Sequence, residues 1–190
     1  MFAVTFDSLR TRLSSRTPRT ADTTGRAQAA VAIVLAPAMT AGLDVLFIKR
    51  AEVAGDPWSG QMAFPGGRRE VQDADLLETA RRETHEETGI SLASESVLGV
   101  LDDLAPTTPT LPPVLVRPFV FGVANRPNVF TSAEVSHHLW TPLGLLPSRA
   151  GRADIVIGET RRVMPAYLIG PHVVWGMTHR IIRGLLDLAL

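Results

Sequence analysis

One segment of the chain has both of its ends marked. A helix is expected over Leu76–Thr88: Asp75 stands at the N-cap, Glu78 completes a capping-box-like pair, and Gly89 follows where the helix must turn left-handed to stop. That helix carries Glu83, Glu86 and Glu87 at i, i+3 and i+4, so all three can point one way. Like charges at this spacing repel by roughly 0.2–0.5 kcal/mol per pair. They also stand near the helix C-terminus, where negative charge is unfavourable. A helix that only packs gains nothing from the arrangement, whereas a bound divalent cation reverses the sign of the local electrostatics. Carboxylate oxygens without thiolates suit Mg²⁺ or Mn²⁺ rather than Zn²⁺, and the chain has no cysteine. The plain alternative is a solvated charged face, eased by Arg82.

The charge balance supports a local reading. The 190 residues carry zero formal net charge, yet residues 67–90 hold four arginines and seven acids, and residues 1–29 hold five arginines and two acids. Overall neutrality argues against non-specific nucleic-acid binding. The lack of cysteine excludes a disulfide-stapled fold. No apolar run approaches the length of a membrane helix. With no signal segment apparent, the cytoplasm is the expected compartment.

Along the chain, Phe2, Phe6, Leu9 and Leu13 are spaced as on a short amphipathic helix, and residues 14–28 read as a linker. The expected domain plan is therefore an N-terminal helix and linker over 1–28 and one domain over 29–190. Ala29–Ala36 and Asp44–Arg50 read as strands of a hairpin, and Ala51–Gly67 as mostly loop. Val97–Leu101 and Val114–Val123 are expected strands, Leu139–Leu146 another short element, and Asp154–Ile157 with Arg162–Ile169 a second hairpin. Ile181, Ile182, Leu185, Leu186 and Ala189 mark an amphipathic helix over 176–189. Irregular alternation of strands and helices points to a mixed α/β sandwich.

Gly66-Gly67, Arg82-Glu83 and Glu86-Glu87-Thr88-Gly89-Ile90 together resemble the Nudix box, G-x5-E-x7-R-E-U-x-E-E-x-G-U, where U is aliphatic. Thr84 stands at an aliphatic position. The interval from Gly67 to Arg82 is one residue longer than the pattern, and the first glutamate position falls on Ala74, with Asp73, Asp75 and Glu78 as nearby carboxylates able to substitute in part. The longer box is similar to that of the branch containing coenzyme A pyrophosphatases, as is the stretch Gly60–Gly67. Arg117–Val120, Glu134-Val135, Trp140–Leu143 and Trp175–Thr178 resemble that branch more weakly. The segment Glu52–Gly60 departs from it, being acidic and free of histidine where the branch is basic.

The resemblance implies a Nudix-type α/β/α sandwich with a mixed sheet. It also implies Mg²⁺- or Mn²⁺-dependent hydrolysis of the pyrophosphate in a nucleoside diphosphate linked to another moiety. Coenzyme A or acyl-coenzyme A, giving 3',5'-ADP and phosphopantetheine, is one substrate so implied. ADP-ribose, NADH and dinucleoside polyphosphates are the alternatives, and a non-catalytic Nudix-like ligand-binding module is the reading from another class. Glu83, Glu87, Glu86 and the Gly67 carbonyl are the implied metal ligands. Glu86 and Glu83 are the candidate catalytic carboxylates, and Arg82 their orienting partner. Arg50, Lys49, Trp58 and Phe64 are candidate substrate contacts; for Lys49 and Arg50 a surface role, and for Trp58 packing, stands as the alternative. A small-molecule nucleotide is the expected partner, and a homodimer is implied by resemblance alone. Asp102, Asp103 and Glu134 are possible further carboxylates, with surface or structural roles as the alternative. His137-His138, facing opposite sides of a strand, do not make a simple paired metal site.

Overall fold

The computed structural model describes residues 4–56, 58–106, 113–158 and 160–189. Phe2 and part of the proline-rich loop before residue 114 lie outside them. At the centre is β1 (Ala27–Pro37), a run of apolar residues buried on both faces. It pairs parallel with β6 (Val114–Gly122) along nearly its whole length, from Ala27 opposite Val114 to Leu35 opposite Gly122. Parallel strands covered on both sides read as continuous apolar runs, which is why neither shows a polar face.

The other edge of β1 is divided. Its C-terminal end forms the antiparallel hairpin with β2 (Leu43–Arg50), while its N-terminal end pairs with β4 (Gly66–Arg68), Ala30 opposite Gly67 and Val31 opposite Gly66. β3 (Met62–Ala63) and β7 (Val135–Pro142) add to β2, and β5 (Val97–Val100) to β6. A second sheet has the order β10-β9-β8, from β8 (Ala150–Ile157), β9 (Thr160–Ile169) and β10 (His172–Trp175).

Alternation sorts the core into two layers. Ile33, Leu35, Val45 and Phe47 face helices α1 (Phe6–Ser14) and α3 (Gly176–Ala189), meeting Leu9, Leu13, Ile182 and Leu185. Ala30, Ala32, Val34 and Leu46 face helix α2 (Leu76–Thr88), meeting Leu76 and Ala80. Alanines on both α2 and β1 let this helix approach the sheet closely. The result is an α/β/α sandwich with a mixed sheet, as expected.

The segment read as mostly loop contains β3 and β4, two and three residues long, too short for alternation to register. The element expected at Leu139–Leu146 starts earlier, at Val135, and continues as a 3-10 turn over Leu143–Arg149. β10 was not foreseen. Among the described residues no helix is long and apolar enough to cross a membrane.

The N-terminal helix is capped by Thr5, which exchanges hydrogen bonds with Ser8. Leu9 and Leu13 are buried, each contributing about 1.5–3 kcal/mol. After it, the chain is clamped by two aspartates between β5 and β6. Asp102 pairs with Arg16 and, at 2.7 Å, with Arg19. Asp103 accepts from Ala21 N–H and is held bidentately by Arg117 at 2.8 Å. These two carboxylates therefore serve the arm. Burial pushes the Asp102 carboxyl up, but the Arg19 N–H and the Arg19 and Arg16 guanidinium groups outweigh it and hold it at about 2. A lowered carboxyl stabilises the fold above its ordinary value, and that stability is lost as pH falls through about 2. Asp102→Asn is expected to cost about 1–2 kcal/mol and to speed tryptic cleavage after Arg16 and Arg19 at neutral pH. Unchanged cleavage would mean that Asp102 does not hold the arm.

Candidate active site

The site grows from α2. Asp75 caps it, its side chain accepting from Glu78 N–H at 2.9 Å, and Gly89 ends it at φ 71° with its N–H donating to His85. Ahead of the cap, Asp73 is buried and accepts from Glu70 N–H, from the Thr79 hydroxyl and from two Arg82 nitrogens at 2.9 and 3.1 Å. The Arg82 bonds are the chief reason its carboxyl lies well below the usual range, against the opposing effect of burial. Anchored there, Arg82 also donates to Glu86 at 2.9 Å and the Arg68 carbonyl at 3.1 Å, and lies 3.1 Å from Glu83.

The three carboxylates near the missing first glutamate position have separate partners. Asp73 is committed to Arg82, Asp75 to the helix cap, and Glu78 to Arg81 at 2.7 Å. Asp73 is the residue whose role sequence reasoning missed. Its signal was a carboxylate nine positions before an arginine, legible only once the turn before α2 is folded.

Glu87 lies one helical turn after Glu83. It is 2% exposed, and its Oε2 accepts from Gly66 N–H at 2.9 Å. Burial pushes its carboxyl up to about 8; the Gly66 bond and Arg50 oppose this, while the Glu83 and Glu134 charges add to it. Burial likewise raises Glu83, with Arg82 opposing.

The β4–β1 pairing sets Gly66 and Gly67 against this pair of carboxylates. A Cβ on Gly67 would overlap the Glu83 carboxylate, and one on Gly66 would sit 2.6 Å from Val31 Cα. Both glycines are therefore required by close approach. Glu134, a possible further carboxylate by sequence, lies close enough to act on the pair. Its charge reaches both Glu83 and Glu87, because the segment preceding β7 runs past the helix end, with Ser132 N–H donating to the Glu87 carbonyl.

The candidate substrate contacts separate. Arg50 acts on Glu87 through its charge, donates to Asp56 at 3.0 Å, and has a buried Nε without a partner among the described residues. Trp58 is partly buried nearby, its N–H donating to Asp56 at 3.0 Å. Lys49, adjacent on the strand, points to the opposite face, opposite His137 and 4.0 Å from Glu52. Phe64 is 3% exposed and stacks on Phe47 at 5.1 Å, so its side chain belongs to the core rather than to a ligand surface. His137 stacks on His172 at 5.1 Å, and the His85 ring lies 3.3 Å from the Ser91 hydroxyl.

Among the described residues, no three carboxylate or imidazole groups close into a ready-made metal cage. Arg82 instead holds Glu83 and Glu86, and Gly66 holds Glu87. The donor set still fits a hard divalent cation: two oxygen-donor carboxylates converge on the Gly66-Gly67 turn, and their hydrogen bonds do not offset the burial that raises both. Mg²⁺ is commonly held by one or two carboxylates and several waters.

Comparison with known proteins agrees with this geometry. The NUDIX domain model matches residues 26–157. The chain is 34% identical to the human mitochondrial coenzyme A diphosphatase NUDT8 over 170 residues, 86% of this chain and 71% of that protein. It is 33% identical over 151 residues to an uncharacterized protein of Schizosaccharomyces pombe, matching 77% of this chain but only 45% of that one, so it spans less than half of that relative's length. A crystal structure of a MutT/nudix family protein from Enterococcus faecalis superposes with a TM-score of 0.59 over 97% of this chain and 74% of that one, at 15% identity, a likeness of fold alone.

Proposed function

The chain belongs to the Nudix family of pyrophosphohydrolases, and we propose that it cleaves the pyrophosphate of a nucleoside diphosphate linked to a second group, coenzyme A or an acyl derivative foremost. The observation that carries the reading is the convergence of buried Glu87 and half-buried Glu83 on the Gly66-Gly67 turn. This geometry has no packing use and a clear one in holding a cation. It also disfavours a pure binding module, which has no need of converging buried carboxylates.

Glu83, Glu87 and the Gly67 carbonyl would hold Mg²⁺ or Mn²⁺, with Glu86 completing the set. The cation supplies neutralisation of phosphoryl charge and a lowered pKa for water. The chain's own residues do the rest. Arg82, fixed by Asp73, keeps Glu83 and Glu86 in position. Glu86, the most exposed of the three glutamates, would accept the proton of the attacking water. The water oxygen bonds to one phosphorus as the bridging oxygen leaves with the other. The free Nε of Arg50 is a donor suited to a phosphate oxygen, and Trp58 beside it offers an aromatic edge to the rest of the ligand.

Coenzyme A is supported by the 34% identity to a coenzyme A diphosphatase and by the longer box. The acidic segment Glu52–Gly60 favours a second reading in which ADP-ribose, NADH or a dinucleoside polyphosphate is cleaved. A hydrolysis screen with Mg²⁺ and Mn²⁺ over coenzyme A, acetyl-coenzyme A, ADP-ribose, NADH and diadenosine polyphosphates decides between them. The expected result is kcat/KM for coenzyme A at least tenfold above the others. Cleavage of ADP-ribose with coenzyme A untouched would overturn the substrate and keep the reaction; no cleavage of any would overturn both.

A further inference from the structure

We propose that the free edge of β8 is a self-association site, on which a second copy of this chain pairs antiparallel about a two-fold axis at Ala153. The proposal is independent of the substrate reading. β8 ends the sheet order β10-β9-β8, so one of its edges is unpaired. Natural sheets blunt such edges with proline, charged side chains, bulges or short strands, and the two charges of β8, Arg152 and Asp154, are of opposite sign and so can complement a second copy of the same strand. β8 has eight residues, no proline, no lysine and an unbroken register with β9. Beyond Tyr167 the hairpin leaves Val156 (63%), Val163 (52%) and Ile157 (42%) exposed, and a solvated hairpin of this kind is only marginally stable alone.

The backbone phase selects which residues can accept a partner strand. Arg152 stands opposite Pro165, which has no N–H, so these two cannot exchange the paired bonds of an antiparallel ladder. Alternation then gives those bonds to Gly151, Ala153 and Ile155. It turns the N–H and C=O groups of Arg152, Asp154 and Val156 outward, whereas the Ala150 N–H donates to the Pro147 carbonyl that ends the preceding 3-10 turn. A second copy must match outward residues with outward residues, which leaves three central registers. Two of them set Arg152 against Arg152 or Asp154 against Asp154, and like charges directly opposite are destabilising.

The third sets Arg152 opposite Asp154 of the second copy, twice by symmetry. It also sets Ala150 opposite Val156 and brings the two Ala153 residues together on the axis. Asp154 makes no ion pair among the described residues. Among the described residues Arg152 donates only to the Val163 carbonyl, at 3.1 Å. Both charges are thus available to a second copy, and the pairing joins two three-stranded sheets into one while covering both exposed edges.

Because the chain has no cysteine, single-cysteine variants read the register directly. In the proposed pairing the two residues at 153 are a non-hydrogen-bonded pair with Cα atoms about 4.5 Å apart, within disulfide reach, while those at 152 or 154 lie diagonally beyond the ~7 Å limit. Oxidised Ala153→Cys is expected to run mostly as a covalent dimer, and Arg152→Cys and Asp154→Cys mostly as monomers. In sedimentation the wild type is expected to dimerise at tens of micromolar, roughly the range for a small polar interface. Asp154→Arg should raise the dimer Kd about tenfold or more, and Arg152→Asp with Asp154→Arg should restore it, far-UV circular dichroism showing an unchanged fold in each. A wild type that stays monomeric, crosslinking at 152 or 154 equal to that at 153, or open-ended polymer in place of a dimer would each overturn the proposal.

Discussion

Turnover of Glu87→Gln is expected to fall about a hundredfold, while the metal-free variant becomes more stable than the wild type at alkaline pH. The first effect follows from removing one carboxylate from the proposed cation centre, whose charge would stabilise the transition state. The second follows from the wild-type environment. Glu87 is 2% exposed with its Oε2 bonded to Gly66 N–H, and burial pushes its carboxyl from an ordinary 4.5 up to about 8. Below pH 4.5 the group is protonated in both folded and unfolded chains, and its contribution to stability is complete. As pH rises from there through about 8, the unfolded chain has already released the proton and the folded chain still holds it, so stability falls.

Glutamine accepts the same Gly66 bond and has no proton to lose. The difference in melting temperature between variant and wild type should therefore widen from about pH 5 to about pH 8 in chelator and level off above that. Cation binding must displace the proton on Glu87. The apparent affinity of the wild type for Mn²⁺, read by titration calorimetry, should rise by up to about tenfold per pH unit between pH 6 and 8, and the variant should show little such dependence. Equal turnover in variant and wild type would remove α2 from the chemistry, whatever the melting curves do.

The helix was legible at both ends because its stops are written locally. Asp75 and Gly89 act through bonds to backbone a few residues away, and the glutamate spacing then follows from helix geometry. The two outer helices were legible for a related reason, since apolar residues at helical spacing need a core whichever elements supply it. What sequence could not show was who partners whom across the fold. Asp73 is one of three carboxylates near the missing glutamate position, and only the turn before α2 brings it onto Arg82. Phe64 looked like a pocket residue because it lies beside the glycines, yet the β2–β3 pairing turns its ring onto Phe47. Glu134 is far along the chain from Glu83 and joins it only because the segment before β7 bonds to the carbonyls ending α2. β3, β4 and β10 are two to four residues long and carry no period to read.

The adjacent glycines 66 and 67 are expected to fail in opposite ways when each is changed to alanine. At Gly66 the new methyl would meet the backbone of β1, 2.6 Å from Val31 Cα and closer still to the Ala30 carbonyl, with φ at 153°. Main chain in the middle of a seven-stranded sheet cannot step aside. The loss should be about 3 kcal/mol or more, a fall in melting temperature of roughly 6–12 °C for a chain of this size. At Gly67 the φ is not positive, so alanine is unstrained in its backbone. The methyl meets instead the carboxylate of Glu83, 2.6 Å from Oε2, the far end of a flexible side chain. Glu83 can swing away, so the fold should lose about 1 kcal/mol or less. The displaced carboxylate, however, leaves the centre it shares with Glu87, and turnover should fall about a hundredfold. Denaturant midpoints and kcat measured on both variants separate the two effects. If Gly67→Ala lost stability as heavily as Gly66→Ala and kept its turnover, the glycine pair would be a structural turn alone, and the close approach of Glu83 would have no part in the chemistry.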